Sequence, residues 1–269
     1  MEAGGSRVIV DAGTGIYALG QKMAGEPAHH HLLFTHVHWD HIQGLPFFAP
    51  LEDPDSRLTL YALPQHLLII EALFTDGFRQ IYLPIPAGRR RAQVEFTPFQ
   101  TGMPWTLNGL EISSVRLNHP NFASGFRFRA DGKTVVFYSD VAPFTDMLFG
   151  YTYRPHALRP DEPRDRYEQE RLAKMRETVI GHCKHADVLI YDSHFTQEEY
   201  QRFPHFGHST TAHALEIARE AEVKQLVMTH HSPTRKDEKL TQMEAHYRAL
   251  AAEHGIDLHA AREVERIIL

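Results

Sequence analysis

The chain is nearly free of cysteine: of its 269 residues only Cys183 carries a thiol. No intrachain disulfide can form, and a zinc site built from several thiolates is excluded. A cationic surplus is missing as well. Lysine and arginine number 28 against 34 acidic residues, a formal net charge of −6. General electrostatic attraction to nucleic acid or to an anionic membrane is therefore not expected, although a local basic groove would be compatible with these totals. Long apolar runs are absent too. No stretch approaches the ~20 residues of a membrane span, and the chain does not open on a signal-peptide pattern. Together these absences predict a reducing, cytoplasmic setting and no membrane partner.

What the chain has in excess is histidine, 20 residues without a tag-like tract, and surplus imidazole points to metal. At 42% apolar composition the chain can bury one large core, so residues 1–269 are expected to form a single domain. Apolar runs read as strands at "RVIVDAG", "HLLFTH", "LTLYALP", "QVEFTPF", "LEISSVRL", "SGFRFRAD", "TVVFYSD", "ADVLIYDS" and "KQLVMTHHS". The Asp-Gly at 131–132 signals a hairpin. Helices are expected after Gly15, from Pro64, from Ser209 or Thr210 as N-cap, and over 236–254, the last stopped by Gly255. The closing "IDLHAAREVERIIL" reads as strand-like at both ends, and His29–His31 as mostly solvent-facing. Residues 143–183 differ in composition. They read as an inserted lid or dimer-contact segment, with Phe144, Phe149, Tyr151 and Tyr153 beside Arg154, Arg159, Arg164 and Arg166. Such a lid could stack a base and hold phosphate, and a plain dimer contact or solvated arm explains the same composition.

Several of these strands end in histidine or aspartate, and ligands at separate strand tips can converge on one sheet edge. The densest tip is "THVHWDH" at 35–41. Imidazole with carboxylate suits Zn²⁺, Mn²⁺ or Fe²⁺. His36 and His38, two apart, point the same way in an extended loop, and Asp40 and His41 aim from the next turn. One loop can thus offer two ligands to each of two ions. His119 could complete the first ion's set and His230 the second's; only one of His230 and His231 is expected to face the site, because adjacent residues alternate. Asp140 ends a buried strand, where a carboxylate is costly unless paired, and one carboxylate can bridge two cations. His208 enters a helix N-terminus, a place suited to a phosphate. Asp192 could hold its ring as a carboxylate–imidazole pair or support a metal-bound histidine.

In combination, "VDAGTG", "THVHWDH", "LNHPNFASGFRF", "VVFYSD", "LIYDSHF", "GHSTTAHA" and "LVMTHHSP" resemble the metallo-β-lactamase superfamily, in its branch of RNase Z-like and small cyclic-phosphodiesterase enzymes. The resemblance runs over about residues 8–235. It implies a four-layer αββα sandwich within the α/β class; relatives carry another strand pair before "VDAGTG", so the expectation is either a truncated start or a first sheet shortened at the N-terminus. It implies two divalent ions, with zinc expected and manganese or iron as alternatives. His36, His38 and His119 would hold one, Asp40, His41 and His230 the other, with Asp140 bridging. It also implies catalytic positions at His208, Asp192 and Asp40, and a homodimer. The expected activity is hydrolysis of a small phosphodiester, such as a cyclic nucleotide or cyclic phosphate. Alternatives are lactone or thioester hydrolysis, tRNA 3′-end processing, and a non-catalytic metal sensor. No long arm for gripping tRNA is evident, so a nucleic-acid partner is not favoured over a small nucleotide.

Overall fold

The computed structural model describes residues 1–3, 5–74, 91–148 and 165–269. The aromatic and arginine positions from Phe149 to Arg164 in the expected lid lie outside them. The chain divides into two compact units, Met1–Met103 and Pro104–Leu269.

The N-terminal unit holds a five-stranded sheet in the order β1 (Glu2–Ala3), β2 (Ser6–Val10), β3 (His29–Leu33), β4 (Arg57–Ala62), β5 (Gln93–Pro98). β2 to β5 are parallel, and β1 is antiparallel to β2. Helix α1 (Gly15–Met23) connects β2 to β3, the short α2 (Trp39–Ile42) follows β3, and α3 (Pro64–Ala72) follows β4. Pro64 opens α3, where a missing N–H costs nothing. Ile9, Leu32, Leu58 and Leu60 from the strands pack with Ile16, Met23, Phe48 and Ile70. Truncating Leu32, fully buried, to alanine would cost about 2–5 kcal/mol.

The strand period of two corrects the reading of His29–His31. His30 lies on the same face as Leu32, 1% exposed, with its ring edge against Phe48 at 5.7 Å. His31 lies on the opposite face, also buried, and meets the Tyr61 hydroxyl through Nδ1 at 3.2 Å. Burial holds the His31 imidazole down at about 4, with His29 and His30 adding to the effect. Only His29 is exposed.

The C-terminal unit holds a seven-stranded mixed sheet: β6 (Trp105–Leu107), β7 (Leu110–Arg116), β8 (Ser124–Ala130), β9 (Lys133–Tyr138), β10 (Val188–Asp192), β11 (Gln225–Thr229) and β12 (Asp257–Ala260), in the spatial order 12-11-10-9-8-7-6. β6 to β9 form an antiparallel meander, and β9 to β12 are parallel. Two tight turns build the meander. Asn108-Gly109 and Asp131-Gly132 all take positive φ, as a two-residue hairpin turn requires. β6 and its Asn-Gly turn are additions to the strands expected from sequence.

Helices α4 (Arg166–Cys183), α5 (Gln197–Arg202), α6 (Thr211–Glu220) and α7 (Asp237–Ala252) complete the unit. α4 forms the C-terminal part of the 143–183 segment. Asp165 caps it, accepting the Tyr167 N–H at 2.9 Å. Leu172, Val179 and Cys183 face inward, and Val179 and Cys183 join a core with Val136, Tyr138, Leu189, Ala214, Ile217 and Leu226. His182 near its end is held inside this unit. Tyr138 Oη donates to the Val179 carbonyl at 3.1 Å and lies 2.9 Å from His182 Nδ1, while Ser113 Oγ lies 3.0 Å from Nε2. Burial, then the nearby Arg127, lowers the His182 imidazole to about 4. The end of the chain differs from expectation: β12 pairs with β11, but Ile267–Leu269 form no strand.

Candidate functional site

In the N-terminal unit the parallel strands deliver their ends to one edge. Asp11 follows β2, and the loop Thr35–His38 follows β3. Asp11 takes a left-handed backbone, φ 60°, which turns its carboxylate back onto that loop. It accepts the Thr35 N–H at 2.8 Å and the Thr35 hydroxyl at 2.8 Å. That hydroxyl has then spent its proton, so it accepts from His36 Nδ1 at 3.0 Å. Asp11 Oδ2 also accepts from His41 Nδ1 at 2.8 Å. One carboxylate therefore sets two tautomers, leaving the Nε2 lone pairs of His36 and His41 directed away from it. This is how ligating histidines are held in metal sites. His36 Nε2 lies 2.9 Å from His38 Nδ1, and His41 Nε2 lies 3.2 Å from Asp40 Oδ2. Neighbouring donors on a tetrahedral ion with bonds of about 2.0–2.1 Å stand roughly 3.3 Å apart. The donor chemistry of this loop fits a divalent ion.

Gly13 and Gly44 hold the frame behind it. A Cβ at Gly13 would stand 2.5 Å from the Asp40 carbonyl oxygen, and one at Gly44 2.0 Å from the Gly13 carbonyl oxygen. The "DAGTG" turn and the α2 loop therefore approach backbone to backbone.

In the C-terminal unit the ends of β7, β9, β10 and β11 carry His119, Asp140, Asp192 and His230 to a common edge. Asp140 is 1% exposed and His119 fully buried. His119 Nδ1 donates to the Gly207 carbonyl at 2.7 Å, so its Nε2 carries the lone pair, 3.7 Å from Asp140 Oδ2. His230 Nε2 lies 3.7 Å from the same oxygen. These separations exceed a hydrogen bond and suit donors that share ions. His230, not His231, faces Asp140, and it does so from a left-handed backbone, φ 56°. His231 is pushed down in pKa by burial first.

Asp192 is fully buried and organises the rest. Its Oδ2 lies 3.0 Å from His208 Nδ1 and accepts the Val141 N–H at 3.1 Å; its Oδ1 accepts the His194 N–H at 3.0 Å. His208 is thereby fixed with Nε2 outward. Thr210, rather than Ser209, caps α6 by accepting from the His213 N–H.

Asp11, Thr35 and His194 are members of the site beyond the residues expected from sequence. His194 Nδ1 donates to the His230 carbonyl at 2.9 Å, and its ring stacks on His208 at 4.7 Å between centroids. One nitrogen each of His194, His208 and His230 lies within 4.8 Å of the others. Burial, then the charge of His208, lowers His194 to about 4. Arg235, its side chain 3% exposed, locks this corner. Its guanidinium donates to the His194 carbonyl and, at 2.8 Å, to Glu199 Oε2. The "YDSH" tip was a signal for His194, but the partner that orients it sits 36 positions away.

A family profile described as "Beta-lactamase superfamily domain" matches residues 6–158, more than half of the chain. The chain is 26% identical to Ribonuclease Z of Haloferax volcanii over 84% of its length and 75% of that protein. Among solved structures it resembles the metallo-beta-lactamase fold protein YhfI of Bacillus subtilis, with TM-score 0.64, 18% identity, and coverage of 97% of this chain and 86% of that one. It also resembles a diphosphatase from the PhnP family, with TM-score 0.59, 21% identity, and coverage of 99% and 83%. The chain belongs to the beta-lactamase superfamily, on its RNase Z-like branch, and is a metal-dependent hydrolase with a mixed α/β metallo-beta-lactamase fold.

Proposed function

We propose that the chain hydrolyses a small phosphodiester, such as a cyclic nucleotide or cyclic phosphate, at a dinuclear metal centre. The observation that carries this reading is the Asp192–His208 pair beside Asp140, with Nδ1 of His208 3.0 Å from one carboxylate and 3.9 Å from the other. An imidazole held by a buried carboxylate keeps a proton to deliver at Nε2, which serves a leaving alkoxide. The named activities of a ribonuclease and a diphosphatase relative also concern phosphorus–oxygen bonds.

In this reading His36, His38 and His119 would hold one ion and Asp40, His41 and His230 the other, with Asp140 serving both. The donor set is all imidazole and carboxylate, so zinc, manganese or iron would fit. Two such ions would supply Lewis-acid chemistry at the phosphoryl group and charge neutralisation at its non-bridging oxygens. The chain's own residues do the rest. Asp11 fixes the tautomers of His36 and His41. Gly207 fixes that of His119. Water oxygen bonds to phosphorus and releases one proton to solvent, the bond to the leaving oxygen breaks, His208 Nε2 gives that oxygen its proton, and the imidazole regains a proton from solvent. Asp192 then stabilises the ring as it changes charge.

A second reading within the same chemistry is an RNA phosphodiester as substrate, favoured by the ribonuclease Z relatives at 24–26% identity. The test is turnover of bis-p-nitrophenyl phosphate beside 2′,3′- and 3′,5′-cyclic nucleotides, a precursor tRNA and a lactone, with added Zn²⁺ or Mn²⁺. Diester turnover is expected to vanish in Asp140→Ala. In His208→Ala it should fall about 100-fold or more while metal content, read by elemental analysis, stays unchanged. Lactone turnover without diester turnover would overturn the reading, and loss of metal in His208→Ala would overturn the role of His208.

A further inference from the structure

We propose that Phe203 and Phe206 form a stacking platform for the base of a nucleotide substrate, so that this hydrolase selects a nucleoside-bearing phosphoester over one without a base. The inference rests on the phosphodiesterase reading and names the substrate class for it. Both rings are unusually open for phenylalanine, 41% and 51% exposed. They stand together, with centroids 5.4 Å apart and planes 30° from parallel.

Their position is what gives them a ligand. Phe195, buried at 5% exposure, lies beneath the pair. It stacks on Phe203 at 6.3 Å and 22° and meets Phe206 at 6.3 Å. The same Phe195 ring presents to His208 at 6.1 Å and 66°. An aromatic path therefore runs from the proton-holding imidazole to the two open rings. The backbone makes the same connection. Phe206 is followed by Gly207 in a left-handed conformation, φ +85°. The Gly207 carbonyl receives His119 Nδ1, and His208 comes next. A side chain at Gly207 is shut out, because its Cβ would stand 2.7 Å from His119 Nδ1 and from Pro120 Cδ. The platform is thus joined through the Gly207 turn to His208, which addresses the leaving oxygen, and to His119, which would hold an ion.

Every nucleobase has a π-face, and stacking on aromatic side chains tolerates sequence. No cation is needed at the platform itself, in keeping with a chain of negative net charge. A charged or hydrogen-bonding leaving group would find no complement on two phenyl rings, whereas a flat apolar face would.

Calorimetric titration of the zinc-loaded protein with AMP and with ribose 5-phosphate tests this without turnover. The two probes share the phosphate and the sugar and differ in the base. AMP is expected to bind on the order of tenfold more tightly. The ratio should fall toward one in the Phe203→Ala/Phe206→Ala double variant and persist in Phe206→Tyr. Equal affinities in the unsubstituted protein would overturn the proposal whether or not any variant folds, and so would a ratio unchanged in a double variant of native circular dichroism. Turnover of bis-p-nitrophenyl phosphate by the unsubstituted protein reports separately on the phosphodiesterase reading. An enzyme that cleaves it yet binds the two probes equally keeps its chemistry and loses the platform.

Discussion

Asp192→Asn is a nearly isosteric change whose cost can be worked from the contacts. The carboxylate accepts from three donors, Val141 N–H and His208 Nδ1 on Oδ2, and His194 N–H on Oδ1. An amide offers one oxygen. If it replaces Oδ2, the new NH₂ faces the His194 N–H; if it replaces Oδ1, the NH₂ faces two donors. The cheaper choice still leaves one buried N–H against another donor, at about 1–3 kcal/mol. The two remaining bonds also lose charge assistance, about 1 kcal/mol each. At a fully buried residue these terms sum to a loss of about 3–5 kcal/mol. Urea unfolding of both metal-free proteins reads this as a lowered midpoint at unchanged m. The same substitution removes the anion that supports a charged His208, so kcat for a diester should fall about 100-fold with KM little changed. A variant within about 0.5 kcal/mol of the parent would mean that these three donors do not depend on an ionised Asp192. Unchanged kcat would remove His208 from proton transfer.

Gly207→Ala should lower stability by about 2–4 kcal/mol, combining a left-handed alanine with displacement of the His119 ring. Zinc titration should show affinity weakened about 10–100-fold, and a variant equal to the parent in both measurements would refute the contact. His182 sits in the fold with a pKa lowered to about 4, from an ordinary value of 6.5. Between these values the unfolded chain binds a proton that the folded chain refuses, so stability is constant above pH 6.5 and falls as pH drops toward 4. The contribution is about 3 kcal/mol across that window. Subtracting the stability–pH profile of His182→Gln from that of the parent should show this slope, and a flat difference would place a proton on the native ring.

Much of this arrangement is legible in the sequence for a physical reason. A β-strand buried on both faces leaves an apolar run that stops abruptly, and a ligand-type residue at the stop is conspicuous. Asp140 after "VVFYS" and Asp192 closing "VLIYD" stand out in this way. The meeting of His208 with Asp192 follows from the helix entry after "GHST". What is hidden depends on facing and on backbone sign. His30 and His31 look like a polar tract, yet strand alternation turns each into a buried face. Asp11 looks like a simple strand end, and only its positive φ turns it onto Thr35 and His41. His194 depends on a carbonyl delivered by β11, which no local pattern shows. The Asn108-Gly109 turn carries a local signal, but the strand before it has only three residues.

The left-handed backbones of Asp11 and His230 bear on how this chain can change over generations. Each residue sits where glycine would be more comfortable, by up to about 1–2 kcal/mol. Glycine at His230 would relieve this cost and leave a poorer ligand cage, whereas glycine at Asp11 would also strand the Thr35 and His41 donors that its carboxylate receives. His230 therefore marks a trade between durability and activity, and a version of this protein selected for thermal endurance alone would be drawn toward losing it while keeping Asp11.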